Sequence, residues 1–147
     1  ITAAGPAGGI IAPHVDHVLV AAFSNTRRTA ALRAVAQAGS VRRPATSGGT
    51  GTLLPLLLAV WLRWRWLAAR SLRGIDALQI PEHQGRLRVL SPRLLSFAHS
   101  LGVEVHVWTV NEAIDMRRLL NAGVDGLITD RADVALALVA EWAQTRS

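Results

Sequence analysis

The chain has 147 residues, half of them hydrophobic, with ten acids and a formal net charge of +6. That length suits one domain with a sizeable core and falls short of the roughly 250 residues of a complete (β/α)8 barrel. The absence of cysteine excludes a disulfide framework and thiol catalysis without fixing a compartment. All the positive side chains are arginines, scattered along predicted helices and loops, so nucleic acid is not the expected partner despite the basic balance.

In chain order, residues 1–13 are rich in Gly, Ala and Pro without a persistent period and read as a loop, with room for a helical turn at its end. Ile1 carries no signal-peptide pattern, and the lack of an initiator Met is compatible with a start inside a longer protein. His17 to Phe23 (HVLVAAF) reads as an apolar strand. Ser24 or Asn25 then caps a helix from about Thr26 to Ala38 that Gly39 ends. Val41 to Gly51 is either a short strand at Ala45 to Ser47 with a glycine-rich exit, or a loop. Its TSGGTGT run lacks both the lysine of a P-loop and the GxGxxG spacing of a dinucleotide fold, which favours a flexible loop over a phosphate cradle.

Thr52 to Leu72 is the most hydrophobic stretch, yet Arg63 and Arg65 interrupt it after about half the ~20 residues a membrane span requires. Two readings stay open for it. One is a core helix whose first turn tolerates Pro55; the other is an interfacial helix placing Trp61, Trp64 and Trp66 at lipid headgroups beside Arg63 and Arg65. Asp76 to Pro81 reads as a short strand, and Arg86 to Leu90 leads to Ser91 and Pro92, an N-cap followed by proline at the first helical position. That helix ends at Gly102.

From Val103 the pattern is clearest. Val103, Val105 and Val107 alternate with Glu104, His106 and Trp108 as in a strand. A helix follows, with Ile114, Met116, Leu119 and Leu120 at helical spacing and Asn111 as its expected cap, and Gly123 stops it. Val124 to Thr129 is a second short strand and about 132–144 a last helix, with Asp130 expected to fix the loop between them or to pair in the neighbourhood of Arg131. Two strands joined by such a helix should lie parallel through a right-handed crossover, with Trp108, Thr109, Asn111, Thr129 and Asp130 at their carboxyl ends, where α/β folds place their sites. Period alone leaves open whether Glu104, His106 and Trp108 face a barrel interior or the helix layer.

The segments VHVWTVN and GVDGLITDRAD resemble the last two barrel strands of the glycerophosphodiester phosphodiesterase family, whose pattern is close to VWTVN and GVDGIITDRP. SPRLLSFAHSLGVEVHVWTVN is similar throughout to the family's TPELVAAAHAAGLRVHVWTVN, DALQIP to its ALQVP segment, and HVLVAAF more loosely to VLVSSFS. The resemblance runs from about His17 to Asp133 and is strongest over 91–133. It implies one incomplete domain over 1–147, the C-terminal portion of a (β/α)8 TIM barrel with parallel strands alternating with helices. The implied reaction is hydrolysis of glycerophosphodiesters to an alcohol and glycerol 3-phosphate.

In that family the resemblance also implies an HRG histidine, a second histidine in an HD motif, and three carboxylates holding a divalent cation, Mg or Ca. None of the HRG, PEN or ExD patterns occurs here. The expectation is therefore a chain with no catalytic residue and no cofactor or metal ligand of its own, because phosphodiester cleavage needs a leaving-group acid and a cation. His14 and His17 flank Asp16 without a third ligand at a metal spacing, and read as a solvated loop pair. By match to the family motif, Trp108 is the expected apolar contact to the glycerol or alcohol moiety, with Phe23 a second candidate. The expected partners are a glycerophosphodiester, a membrane surface through the Trp and Arg helix as the alternative, and further copies of a partial barrel whose sheet edges are uncovered. The sequence does not choose between cytoplasm and membrane surface.

Overall fold

The computed structural model describes residues 4–144, which form two compact units divided between Ala77 and Leu78. In the first, α1 (Ala4–Ile11) continues into a 3-10 segment (Ala12–His17), followed by β1 (Leu19–Val20), α2 (Asn25–Gln37), β2 (Ala45–Thr46), α3 (Thr50–Trp61) and α4 (Arg65–Ser71). The segment expected as a loop is thus helical from Ala4 onward, while residues 1–3 lie outside the described part. Its glycines weaken a free helix, but Gly8 lets α1 press against α2: a Cβ there would stand 2.5 Å from the Ala34 carbonyl oxygen. Tertiary packing decides where local propensity is weak.

The expected strand from His17 shrinks to Leu19 and Val20, paired in parallel with Ala45 and Thr46. His17 belongs instead to the 3-10 turn, in which Pro13 stands near the start. The hydrophobic stretch 52–72 is two helices, because Arg63 takes a left-handed conformation (φ 61°) after the last turn of α3. The N–H of Trp64 donates to the Ala59 carbonyl (2.8 Å) and that of Arg63 to Val60 (3.3 Å). This is the Schellman pattern with arginine in glycine's usual place.

The second unit takes up the chain within β3 (Ala77–Pro81) and continues through a small antiparallel hairpin of β4 (His83–Gln84) and β5 (Leu87–Arg88), α5 (Pro92–Ser100), β6 (Glu104–Trp108), α6 (Ala113–Asn121), β7 (Gly126–Leu127) and α7 (Ala132–Gln144). The sheet order is β3-β6-β7, and β6 and β7 run parallel as the crossover argument requires. Ser91 caps α5, its hydroxyl accepting the Leu94 N–H at 3.2 Å with Pro92 following. Gly102 and Gly123, with φ of 68° and 93°, close α5 and α6 as expected. Leu94, Leu95 and Ala98 of α5 and Met116, Leu119 and Leu120 of α6 are buried together with Val105 and Val107. The molecule is α/β with parallel strands alternating with helices. Among the described residues the strands lie in sheets of two, three and two and close no barrel.

Candidate functional site

In the second unit the carboxyl ends of β6 and β7 carry the residues of interest. Val105 and Val107 are completely buried, which commits that face of β6 to the helices. The opposite parity therefore holds Glu104, His106 and Trp108 on the other face, the one a closed barrel turns inward. His106 is half-buried; its Nε2 lies 3.0 Å from Glu104 Oε2 and its ring lies over Gly126, where a Cβ would stand 2.6 Å from His106 Cδ2. Trp108 is half-buried at the strand's last position, and the peptide bond it makes with Thr109 is cis.

Beside Trp108 a polar clasp joins the two strand exits. Pairing extends past the formal strands, with Ile128 N–H donating to Val107 (2.9 Å) and Val110 N–H to Ile128 (3.0 Å). Asn111 Oδ1 accepts from the Thr129 hydroxyl and from the Asp130 N–H, both at 3.0 Å, while its Nδ2 donates to Asp130 Oδ2 at 3.2 Å. The Thr129 hydroxyl in turn accepts the Arg131 N–H at 2.9 Å. Asn111 is thus not the helix cap it was expected to be. The N-cap of α6 is Glu112, without a side-chain bond, because the Asn111 amide gains three hydrogen bonds to Thr129 and Asp130 in place of one at the helix end. Asp130 does fix the loop before α7, and Arg131 reaches forward to Asp133 at 2.9 and 3.1 Å.

At the amino end of the same sheet, Asp125 Oδ2 accepts the Val105 N–H and contacts His99 Nε2, each at 2.8 Å. Arg118 binds Glu82 through two bonds of 2.7 and 2.9 Å and also Asp115. Those contacts hold the Glu82 carboxyl below the usual range and push the Arg118 guanidinium up. Asp125 was not singled out from sequence. The signal that finds it is a recurrence, Gly-Ile-Asp-Ala-Leu at 74–78 and Gly-Val-Asp-Gly-Leu at 123–127.

In the first unit, Phe23 is exposed after β1. The glycine-rich stretch beside it is ordered by contact. Gly49 caps α3, its N–H donates to Asn25 Oδ1 (3.3 Å), and Asn25 Nδ2 reaches the Thr52 hydroxyl (3.5 Å). A Cβ on Gly49 would stand 2.6 Å from the Phe23 carbonyl oxygen, so the glycine serves close backbone approach. Below it, the Thr46 hydroxyl donates to the Val20 carbonyl at 2.9 Å, and Asp76 accepts the Thr46 N–H at 2.8 Å and two Arg43 bonds at 2.6 and 2.8 Å. Arg43 holds the Asp76 carboxyl below its usual range. Asp16, which stands between His14 and His17 in sequence, pairs with Arg42 at 2.9 Å. Among the described residues no three His, Asp or Glu side chains are placed to hold a metal ion.

The model of the glycerophosphoryl diester phosphodiesterase family matches residues 18–134. The chain is 42% identical over 130 residues to a protein of Mycobacterium tuberculosis named "Probable glycerophosphodiester phosphodiesterase 2", covering 86% of this chain and 47% of that one. A glycerophosphodiester phosphodiesterase of Caldanaerobacter subterraneus is 42% identical over 48 residues, 33% of this chain and 20% of its own length. Among solved structures, a "Putative glycerophosphoryl diester phosphodiesterase" from Silicibacter pomeroyi aligns with a TM-score of 0.46 at 21% identity, over 78% of this chain and 43% of the other. The chain spans about half the length of the first of these relatives or less. A match over 117 residues, running through the strand exits that hold Trp108, Asn111 and Asp130, places this chain in the glycerophosphoryl diester phosphodiesterase family.

Proposed function

We propose that this chain supplies the alcohol-side binding wall of a phosphodiesterase that hydrolyses glycerophosphodiesters to an alcohol and glycerol 3-phosphate. The observation that carries the reading is Trp108: a broad apolar ring, half-buried, at the carboxyl end of a parallel strand, on the face not committed to helices and next to the Asn111 clasp. Such a ring contributes contact area to a glycerol or alcohol moiety, and the clasp fixes the loop that frames it. Phe23 offers a second exposed ring, three residues past β1, in its own unit.

The family works with a divalent cation, and the carboxylates here do not fit one. Glu82 is held by Arg118, Asp125 by the Val105 N–H and His99, Asp130 by Asn111 and Asp133 by Arg131. Each has its charge or lone pairs already engaged, and among the described residues no three converge. With no HRG histidine in the sequence either, the chain by itself is inactive in this reading, and acid–base and cation chemistry come from a complementary segment.

The test is release of glycerol 3-phosphate from glycerophosphocholine with Mg²⁺ or Ca²⁺, using this chain alone and an intact relative carrying its residues 91–133. The chain alone should show no turnover. In the intact protein Trp108→Ala should raise KM about tenfold with a smaller change in kcat, as loss of an apolar contact requires. Metal-dependent turnover by the isolated chain, or an unchanged KM with a large loss of stability, would overturn the assignment.

A further inference from the structure

Helix α3 is apolar on two opposite sides, and only one of them is covered. Thr52, Leu56 and Ala59 recur at one helical face and are buried; Leu54, Leu58 and Trp61 recur at the same spacing on the opposite face and are 71, 52 and 73% exposed. The turn after α3, set by the left-handed Arg63, and the start of α4 add Trp64 and Trp66, 49 and 69% exposed, and the exposed Arg63 and Arg65. Large apolar side chains gathered on one exposed face mark an interaction surface.

The charge around it selects the partner. Between residues 17 and 75 the sequence has nine arginines and no carboxylate, so the first unit carries a formal +7 and the second −1. The first unit's two carboxylates are both taken, Asp16 by Arg42 and Asp76 by Arg43. Aliphatic side chains, indole rings that favour the headgroup level and arginines that bind phosphate oxygens are together the chemistry of an anionic bilayer surface. The twelve residues of α3 span about 18 Å, against a hydrocarbon core of about 30 Å, and no helix of the described residues is long and apolar enough to cross a membrane. The helix would therefore lie in the interface plane.

We propose that the α3 and α4 face of the first unit docks onto anionic lipid bilayers, with Leu54, Leu58, Trp61 and Trp66 entering the headgroup boundary and Arg63 and Arg65 meeting lipid phosphates. This does not depend on the glycerophosphodiester reading, since none of these residues belongs to the strand exits. The full chain is sedimented with vesicles of phosphatidylcholine alone and of phosphatidylcholine containing one-third phosphatidylglycerol. Binding should be strong only on the anionic vesicles and should fall as salt rises. Each arginine near such a surface is worth roughly fivefold, so Arg63→Gln with Arg65→Gln should lower the anionic partition by roughly 25-fold. Trp61→Ser with Trp66→Ser, at exposed positions that leave the circular dichroism spectrum unchanged, should lower it by about tenfold or more. Equal partition on both vesicle types would overturn the proposal, as would wild-type binding by the double Trp variant. So would a dimer in light scattering that this variant dissociates while vesicles capture nothing, since the face would then belong to a second copy.

Discussion

In both units a glycine with positive φ turns the chain into an aspartate that stands immediately before a strand: Gly74, Ile75 and Asp76 lead to Ala77, and Gly123, Val124 and Asp125 lead to Gly126. Each aspartate returns a carboxylate oxygen to a backbone N–H of a strand, Thr46 of β2 in one unit and Val105 of β6 in the other, at 2.8 Å in both. Each aspartate N–H also donates to that residue's carbonyl, at 2.9 and 3.0 Å. In the second unit this pins the register of parallel β6 and β7 at their amino ends, the end of an α/β barrel associated with stability, and in the first the same device ties Asp76 to Thr46 of β2. The units differ elsewhere. The first is strongly basic and leaves an apolar helix face uncovered, whereas the second is near neutral and buries amphipathic α5 and α6. What repeats lies in the strand contacts, and what differs lies at the surface.

The largest effect should come from removing the shared device. Asp76→Ala and Asp125→Ala should each cost about 2–3 kcal/mol in urea unfolding, because a strand N–H loses its carboxylate acceptor. The comparison breaks if one is costly and the other neutral. An acid titration sharpens it. Arg43 holds the folded-state pKa of Asp76 below its unfolded value, so this contribution is present above about pH 4 and is lost as pH falls through the folded pKa. Asp76→Asn should remove that part of the acid limb.

The residue after each aspartate separates the units again. Ala77 carries a Cβ, but one on Gly126 would meet the His106 ring at 2.6 and 2.9 Å. Gly126→Ala should therefore destabilise by about 1–3 kcal/mol, the range for overpacking. His106→Ala in the same chain should recover most of that loss. Recovery in the double variant, read as a coupling energy, would show that the ring and not the backbone demands glycine.

Much of this was legible where local chemistry and tertiary structure agree. Glycine after a periodic helix, Ser91 before Pro92 and alternating valines each fix an element by their own sterics and hydrogen bonding, and the parallel β6 and β7 follow from the connecting helix. The family was legible in the same stretch. Long-range contact decided the remainder. The helix at Ala4–Ile11 depends on Gly8 meeting Ala34, the break at Arg63 needs a backbone state that arginine does not advertise, and Asn111 chose partners eighteen and nineteen residues away over its own helix end. Parity alone could not say which face of β6 was apolar-packed; full burial of Val105 and Val107 settles it and leaves Trp108 on the other side.

The smallest predicted change is the one that best separates fold from surface. Three helices end in the same Schellman bonding, α5 and α6 with glycine in the left-handed position and α3 with Arg63. A left-handed L-residue costs about 1–2 kcal/mol, of which glycine's greater unfolded-state entropy returns roughly half, so Arg63→Gly should stabilise the chain by about 0.5–1 kcal/mol. Gly102→Ala at the matching position of α5 should destabilise by a similar amount. If arginine stands at 63 for its charge, the stabilised Arg63→Gly variant should also lose roughly fivefold in partition onto anionic vesicles. A variant that gains stability and keeps full vesicle binding would leave the strain at Arg63 without a surface purpose, and one that loses stability would show that the arginine side chain itself holds the α3 to α4 turn.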